Sequence, residues 1–139
     1  MIVNIYIIGS SFYFKWIEFE LENNPDDRES FERIILGYET KHGWLTRHER
    51  VLAYAKKIKD DEVVVINATC THLGCIVTWK EDQKIFQCPC HDGRYDAEGR
   101  VISGPPPKPL ERHKTKVVDG RIFVGTETMP FGGDKSERV

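Results

Sequence analysis

The sequence predicts an all-β protein, and three observations carry that prediction. Short apolar stretches recur along the chain between clusters of turn-forming residues. One of them, Ile17-Glu18-Phe19-Glu20-Leu21, alternates apolar and charged residues with the period of a half-buried strand. Near the C-terminus, Lys116-Val117-Val118 and Arg121-Ile122-Phe123-Val124 flank Asp119-Gly120, the dipeptide that suits a tight hairpin bend. Regular short strands of this kind point to a sandwich or a small barrel.

Taken in order, the strand at residues 17–21 runs into Asn23-Asn24-Pro25-Asp26-Asp27, a turn or linker. Residues 31–36 suit a further strand, with Lys41-His42-Gly43 as a hairpin turn. Residues 45–58 are ambiguous, because their Leu, Ala, Lys and Arg favour a helix by propensity. Asp60-Asp61 makes a turn into Glu62-Val63-Val64-Val65-Ile66, a strand. Ile76-Val77-Thr78-Trp79 and Lys84-Ile85-Phe86-Gln87 flank Glu81-Asp82-Gln83 in a hairpin pattern, and Asp96-Ala97-Glu98-Gly99 makes another turn.

At 139 residues the chain is one domain with room for a modest core. Its 20 Lys and Arg nearly balance 22 Asp and Glu, and no basic run interleaves with aromatics, so no nucleic-acid partner is expected. No repeat, low-complexity tract, Ser-His-Asp order, phosphate-binding loop or dinucleotide fingerprint is present, which leaves hydrolase and nucleotide-binding functions without support. Residues 1–14 carry no charge. They fall short of the roughly 17–25 residues a spanning helix needs, and no basic residue precedes them as in a secretory signal. The N-terminal segment 1–30 therefore reads either as the stub of a membrane anchor or as an edge strand. The polar tail, residues 129–139, is expected to fray.

The chemistry is concentrated in one window. Cys70-Thr71-His72-Leu73-Gly74-Cys75 is followed by Cys88-Pro89-Cys90-His91, so all four cysteines lie within twenty-one residues. Each box pairs a cysteine with a histidine and adds one further cysteine. Two thiolates and two imidazoles on paired short loops can hold a 2Fe–2S cluster with mixed ligation. A four-cysteine zinc site or two plain disulfides would use the same thiols, but would leave the paired histidines unexplained. His42, His48 and His113 match neither box and read as surface or packing residues. Asn67-Ala68-Thr69 fits a glycosylation sequon, but leads directly into the first box and reads as incidental.

These boxes, fifteen residues apart between His72 and Cys88, together with Gly104-Pro105-Pro106-Pro107, resemble the Rieske iron–sulfur proteins. The resemblance is to the disulfide-containing branch found in cytochrome bc complexes. It implies the Rieske fold: an antiparallel β sandwich with a small inserted cluster-binding subdomain. On that pattern 31–66 and 110–128 form the base, 67–109 binds the cluster, and residues 51–58 become a strand paired with 62–66.

The resemblance also implies the site. Cys70 and Cys88 would bind one iron of a Rieske-type 2Fe–2S cluster and His72 and His91 the other. Cys75 and Cys90 would form a disulfide between the loops, which suits an oxidising compartment such as the outer, periplasmic face of a bacterial inner membrane. Leu73 would cap the cluster tip, the run around Pro106 would pack as a stiff lid, and the Tyr95 hydroxyl would donate to a ligand cysteine sulfur. Exchanging two thiolates for two neutral imidazoles takes the oxidised cluster from a charge of about −2 to about 0, which favours reduction. The ligand imidazoles titrate, so electron and proton uptake are coupled, as oxidation of a quinol requires. The implied partners are quinol at a cytochrome b-type membrane subunit and a c-type cytochrome. His72 or His91 would be the catalytic contact to the quinol. A small subunit of a molybdenum oxidase such as arsenite oxidase, a soluble oxygenase ferredoxin, and a structural or sensing cluster are the alternatives.

One departure stands out. High-potential relatives commonly continue the second box with His-Gly-Ser, whereas this chain has His91-Asp92-Gly93. Gly93 has no hydroxyl to donate to sulfur. Losing a charge-assisted hydrogen bond of about 1.5–3 kcal/mol would lower a one-electron potential by about 60–130 mV. An ionised Asp92 would push the same way. A low potential, suited to menaquinol, is therefore expected.

Overall fold

A computed structural model of the chain describes residues 7–8, 16–21, 30–129 and 137–138, and no helix occurs among them. None is therefore long and apolar enough to cross a membrane. The expected turn at 23–27 lies outside the described residues. The protein is all-β. Its larger sheet contains β1 (Ile7–Ile8), β2 (Trp16–Phe19), β3 (Glu32–His42), β4 (Leu45–Lys59), β5 (Glu62–Asn67), β10 (Arg112–Val118) and β11 (Arg121–Met129). Their spatial order is β1-β2-β11-β10-β5-β4-β3, and β12 (Glu137–Arg138) pairs with β10. The smaller sheet has β6 (Thr78–Lys80), β7 (Ile85–Gln87), β8 (Arg94–Tyr95) and β9 (Val101–Ser103) in sequential antiparallel order.

The stretch 45–58, with its helical propensity, is a strand, and it starts earlier than the expected residue 51. It pairs on both sides, with β3 from Glu32↔Ala55 to His42↔Leu45 and with β5 from Ala53↔Asn67 to Lys59↔Glu62. Pairing with β3 along residues 45–55, and at 53–55 pairing on both edges with burial, overrides a propensity of tenths of a kcal/mol per residue. The turn joining β3 to β4 is Gly43-Trp44, sharing only Gly43 with the expected 41–43, since Lys41 and His42 pair with β4, and it holds Trp44 95% exposed. The hairpin between β10 and β11 closes as expected, with Asp119 at φ 51° and Gly120 at φ 76°. Two positive φ values make the primed turn whose twist matches the strands. Of the polar tail, residues 137–138 pair in parallel with β10.

Side-chain parity explains why β5 reads as an unbroken apolar run. Ala53, Ala55, Val63 and Val65 face one core, which also holds Ile17, Phe19, Ile34, Leu36 and Val124. Tyr54 and Ile66 face the other way, into a second core with Phe31, Val77, Phe86, Tyr95 and Leu110. A strand covered on both faces loses its polar alternation. The second core lies between the two sheets and includes Cys70 and Cys88, so the iron-ligand candidates are seated on packed apolar side chains rather than on a free loop. Tyr54 adds a polar tie, its hydroxyl donating to the Val77 carbonyl at 3.1 Å.

Candidate metal centre

Two loops and one strap build the site. The first loop leaves β5 and returns through the bridge Thr69↔Ile76 into β6. It is closed by backbone bonds from Cys70 N–H to the Cys75 carbonyl (2.7 Å), from Gly74 N–H to the Cys70 carbonyl (3.0 Å) and from Val77 N–H to the Ala68 carbonyl (2.8 Å). The second loop joins β7 to β8 and is closed by Cys88 N–H donating to the Gly93 carbonyl at 2.7 Å. Cys75 and Cys90 form a disulfide between the two, with Cα atoms 6.5 Å apart. The disulfide expected from the resemblance is present.

Four donors remain. Cys70 and Cys88 are free thiols, 3% and 2% exposed. The sulfurs of Cys75, Cys88 and Cys90 lie within 4.8 Å of one another, but the disulfide consumes two of them and leaves Cys88 as the donor. The rings of His72 and His91 stand edge to face, 5.0 Å between centroids. His72 is half-buried and His91 exposed. His72 Nδ1 is buried and has no hydrogen-bond partner among the described residues. A buried ring nitrogen without a partner costs about 1–3 kcal/mol unless something else binds it. Two free thiols and two imidazoles, one with an unclaimed buried nitrogen, could hold a pair of irons with mixed ligation.

The field around Cys70 favours its thiolate. Burial pushes the thiol up, but hydrogen bonds from Tyr95, from the backbone at His72 and Leu73 and from Cys88 outweigh it, so its pKa lies below the ordinary value. Burial, then the Cys70 sulfur, pushes Tyr95 up to about 12, which keeps its hydroxyl protonated. That hydroxyl lies 3.2 Å from Cys70 Sγ and accepts from Thr71 N–H at 3.2 Å. It is also 3.2 Å from Thr71 Oγ1, whose own proton goes to the Lys108 carbonyl at 2.6 Å. Tyr95 therefore shares one proton between the cysteine sulfur and the threonine oxygen.

The second loop is fixed differently. A Cβ on Gly93 would lie 2.7 Å from Pro106 Cγ and 3.6 Å from Cys88 Cβ. Gly104 is equally close, since a Cβ there would meet Gly93 Cα at 2.9 Å and the Asp92 carbonyl oxygen at 3.1 Å. Of the three prolines, Pro106 alone is buried, seated on Gly93, while Pro105 and Pro107 are exposed. Asp92 sits at φ 55°, a region that Asp enters more readily than most residues. Its carboxylate accepts from Gln87 Nε2 at 2.6 Å and pairs with Arg94 at 3.4 Å; these contacts, Gln87 first, hold its pKa below the usual range. Its charge is thus partly answered by Arg94. Leu73 projects from the first loop, 67% exposed.

His42 and His48 are exposed, and His48 pairs with Glu39 at 3.3 Å. His113 is buried and hydrogen-bonded to Asn67. Asn67, Thr71 and His113 are the site's neighbours that reading the boxes missed. The signal for His113 was the parity of β10, where His113, Thr115 and Val117 share a face.

The family model described as the Rieske [2Fe–2S] domain matches residues 37–117, a span that includes both loops and the Pro106 strap. The chain belongs to the Rieske [2Fe–2S] domain family. Its cofactor is a Rieske-type 2Fe–2S cluster, so the zinc and plain-disulfide readings fall. The chain is 44% identical over 77 residues to the cytochrome b6-f complex iron-sulfur subunit of Chlorobaculum tepidum, covering 49% of this chain and 42% of that one. It is 39% identical over 111 residues to the same subunit of Parasynechococcus marenigrum, covering 69% and 62%. The structure of the cyanobacterial plasma membrane Rieske protein of Synechocystis PCC 6803 aligns at 28% identity with a TM-score of 0.45, covering 63% of this chain and 84% of that one. The chain spans about 42–62% of the length of these two curated relatives.

Proposed function

We propose that Cys70 and Cys88 hold one iron and His72 and His91 the other, with 67–109 acting as the cluster-binding unit on a base of 31–66 and 110–128. On this reading the protein transfers single electrons in a cytochrome bc-type complex at the outer face of a membrane. Quinol at a cytochrome b-type subunit is the donor and a c-type cytochrome the acceptor. The observation that carries the assignment is the set of donors left unclaimed: two free buried thiols and the partnerless His72 Nδ1 beside the His91 ring.

When bound, the cluster supplies a one-electron acceptor of near-neutral charge in its oxidised form. The chain's residues supply the rest. His91 is exposed and presents a ring nitrogen to a donor, with exposed Leu73 offering apolar surface for a quinol ring. One imidazole N–H can hydrogen-bond the quinol oxygen when neutral and receive the proton when deprotonated. The buried sulfurs and the disulfide exclude water from the iron side and limit rearrangement on electron transfer. The missing hydroxyl at Gly93 and the carboxylate of Asp92 favour a low potential, which suits menaquinol.

The test is the potential of the holoprotein against pH, followed by its reduction by a menaquinol analogue in membranes containing the complex. The potential is expected to fall by about 59 mV per pH unit above a ligand-histidine pKa. A potential independent of pH would overturn proton coupling, and one near +300 mV, at the top of the Rieske range, would overturn the menaquinol assignment.

A further inference from the structure

One buried polar chain runs from the large sheet into the first ligand loop. His113 on β10 is 4% exposed and Asn67, the last residue of β5, is 8% exposed. His113 Nδ1 lies 2.8 Å from the Gly125 carbonyl oxygen, which can only accept, so Nδ1 carries a proton. Asn67 Oδ1 accepts from Thr69 N–H at 2.8 Å, which turns the amide's Nδ2 donor toward His113 Nε2 at 3.1 Å. Nε2 must therefore be the bare nitrogen of a neutral ring. Each of these three contacts joins one donor to one acceptor in this tautomer and amide orientation only. Gly125 lies in the stretch of β11 where its register with β10 shifts, between His113↔Thr128 and Thr115↔Val124. Thr69 immediately precedes Cys70.

We propose that Asn67 and His113 are positioning residues of the iron site, which fix the backbone delivering Cys70 and His72 through the hydrogen-bonded chain Gly125–His113–Asn67–Thr69. This rests on the ligand assignment above. The register shift in β11 anchors one end, and the side-chain relay carries that position across β10 and β5 to the loop. Burial favours the neutral ring that the relay needs. A buried amide orphaned at either end would cost about 1–3 kcal/mol, so the relay is maintained as a unit.

Nitrogen-15 NMR of histidine-labelled oxidised holoprotein tests the relay without mutation: His113 is expected to be neutral, protonated at Nδ1 and bare at Nε2. A ring protonated at Nε2 would overturn it. In Asn67→Ala the EPR lines of the reduced cluster are expected to broaden, and cluster loss to a chelator to accelerate about five- to tenfold. Asn67→Asp retains the acceptor for Thr69 N–H but sets a second acceptor against the bare His113 Nε2, so it should not restore narrow lines. Thr115→Val is the control, because it removes a comparable buried bond, Thr115 hydroxyl to the Val63 carbonyl at 2.8 Å, that does not reach the loop. It should lower stability and leave the EPR lines unchanged. Equal broadening in Thr115→Val and Asn67→Ala, or none in Asn67→Ala, would overturn the proposal. A wild-type signal lacking histidine ligation would instead overturn the ligand assignment beneath it.

Discussion

Around Cys70 and His72 the chain is moored by directional contacts: Tyr95 on the sulfur, Thr71 on the Lys108 carbonyl and Asn67 on Thr69 N–H. Around Cys88 and His91 it is wedged, with Gly93 against Pro106 and Gly104 against Gly93. The two boxes look alike in sequence, yet one loop depends on which atoms carry protons and the other on the absence of volume. The first is half-buried beside a core, where an unmet polar group is costly and hydrogen bonds specify position. The second exposes its tip, residues 89–92, while its base at Cys88, Gly93 and Pro106 is buried and has no spare volume, so close packing positions it. Changes of chemistry at constant size should therefore act on the first loop, and changes of size on the second.

The disulfide joins the two, and its removal should erase the contrast. Replacing Cys75 and Cys90 by Ala opens a link of sequence separation 15, worth about 3 kcal/mol in chain entropy. Denaturant titration of the holoprotein should show that loss, with the cluster bleached at lower denaturant. Next in size, Gly93→Ser places a Cβ against Pro106 and should cost about 1–3 kcal/mol. It supplies the hydroxyl found in high-potential relatives, yet the potential should not rise unless Pro106 also yields. The pair Gly93→Ser with Pro106→Ala should recover most of the stability in a double-mutant cycle.

Tyr95→Phe sharpens the comparison from the other side, since it keeps volume and removes the donor. The potential should fall by up to about 100 mV, read by redox titration. A smaller effect is expected from His113. Its folded pKa is depressed below 6.5, chiefly by burial, with the Gly125 carbonyl and Glu111 acting the other way. The folded state then resists protonation that the unfolded chain accepts. Stability is full above pH 6.5, declines as pH falls below it, and levels off below the folded pKa. The unfolding midpoint between pH 7 and pH 5 should show that decline, and His113→Phe should remove its share. The smallest change is expected from Asp92→Asn. The carboxylate is exposed and paired with Arg94, so the potential should rise only slightly, and less at high salt.

Much of this was legible in the sequence because the informative residues are close together. The cysteine and histidine spacing marked the site, and Asp119-Gly120 marked its hairpin, since both signals are local. What stayed hidden depends on partners far along the chain. The strand expected at 51–58 is present, but its extension back to Leu45 was not legible, because residues 45–50 carry helical propensity and are held as strand by pairing with β3. Gly93 read as a missing hydroxyl, whereas its fit against Pro106, thirteen positions later, is a fact of three dimensions. Asn67 and His113 sit forty-six residues apart, and their hydrogen bond has no local signature. Thr71 lay inside the first box, but its role depends on Lys108.

The claim at the centre is that two cysteines and two histidines, Cys70, Cys88, His72 and His91, share the irons of the cluster. Low-temperature EPR with nitrogen hyperfine spectroscopy on the reduced, histidine-labelled holoprotein tests it most directly. Two distinct histidine nitrogens coupled to one iron, with His72→Ser and His91→Ser each removing one, is the predicted result. A reduced cluster showing no histidine nitrogen coupling, or couplings that survive both substitutions, would contradict it.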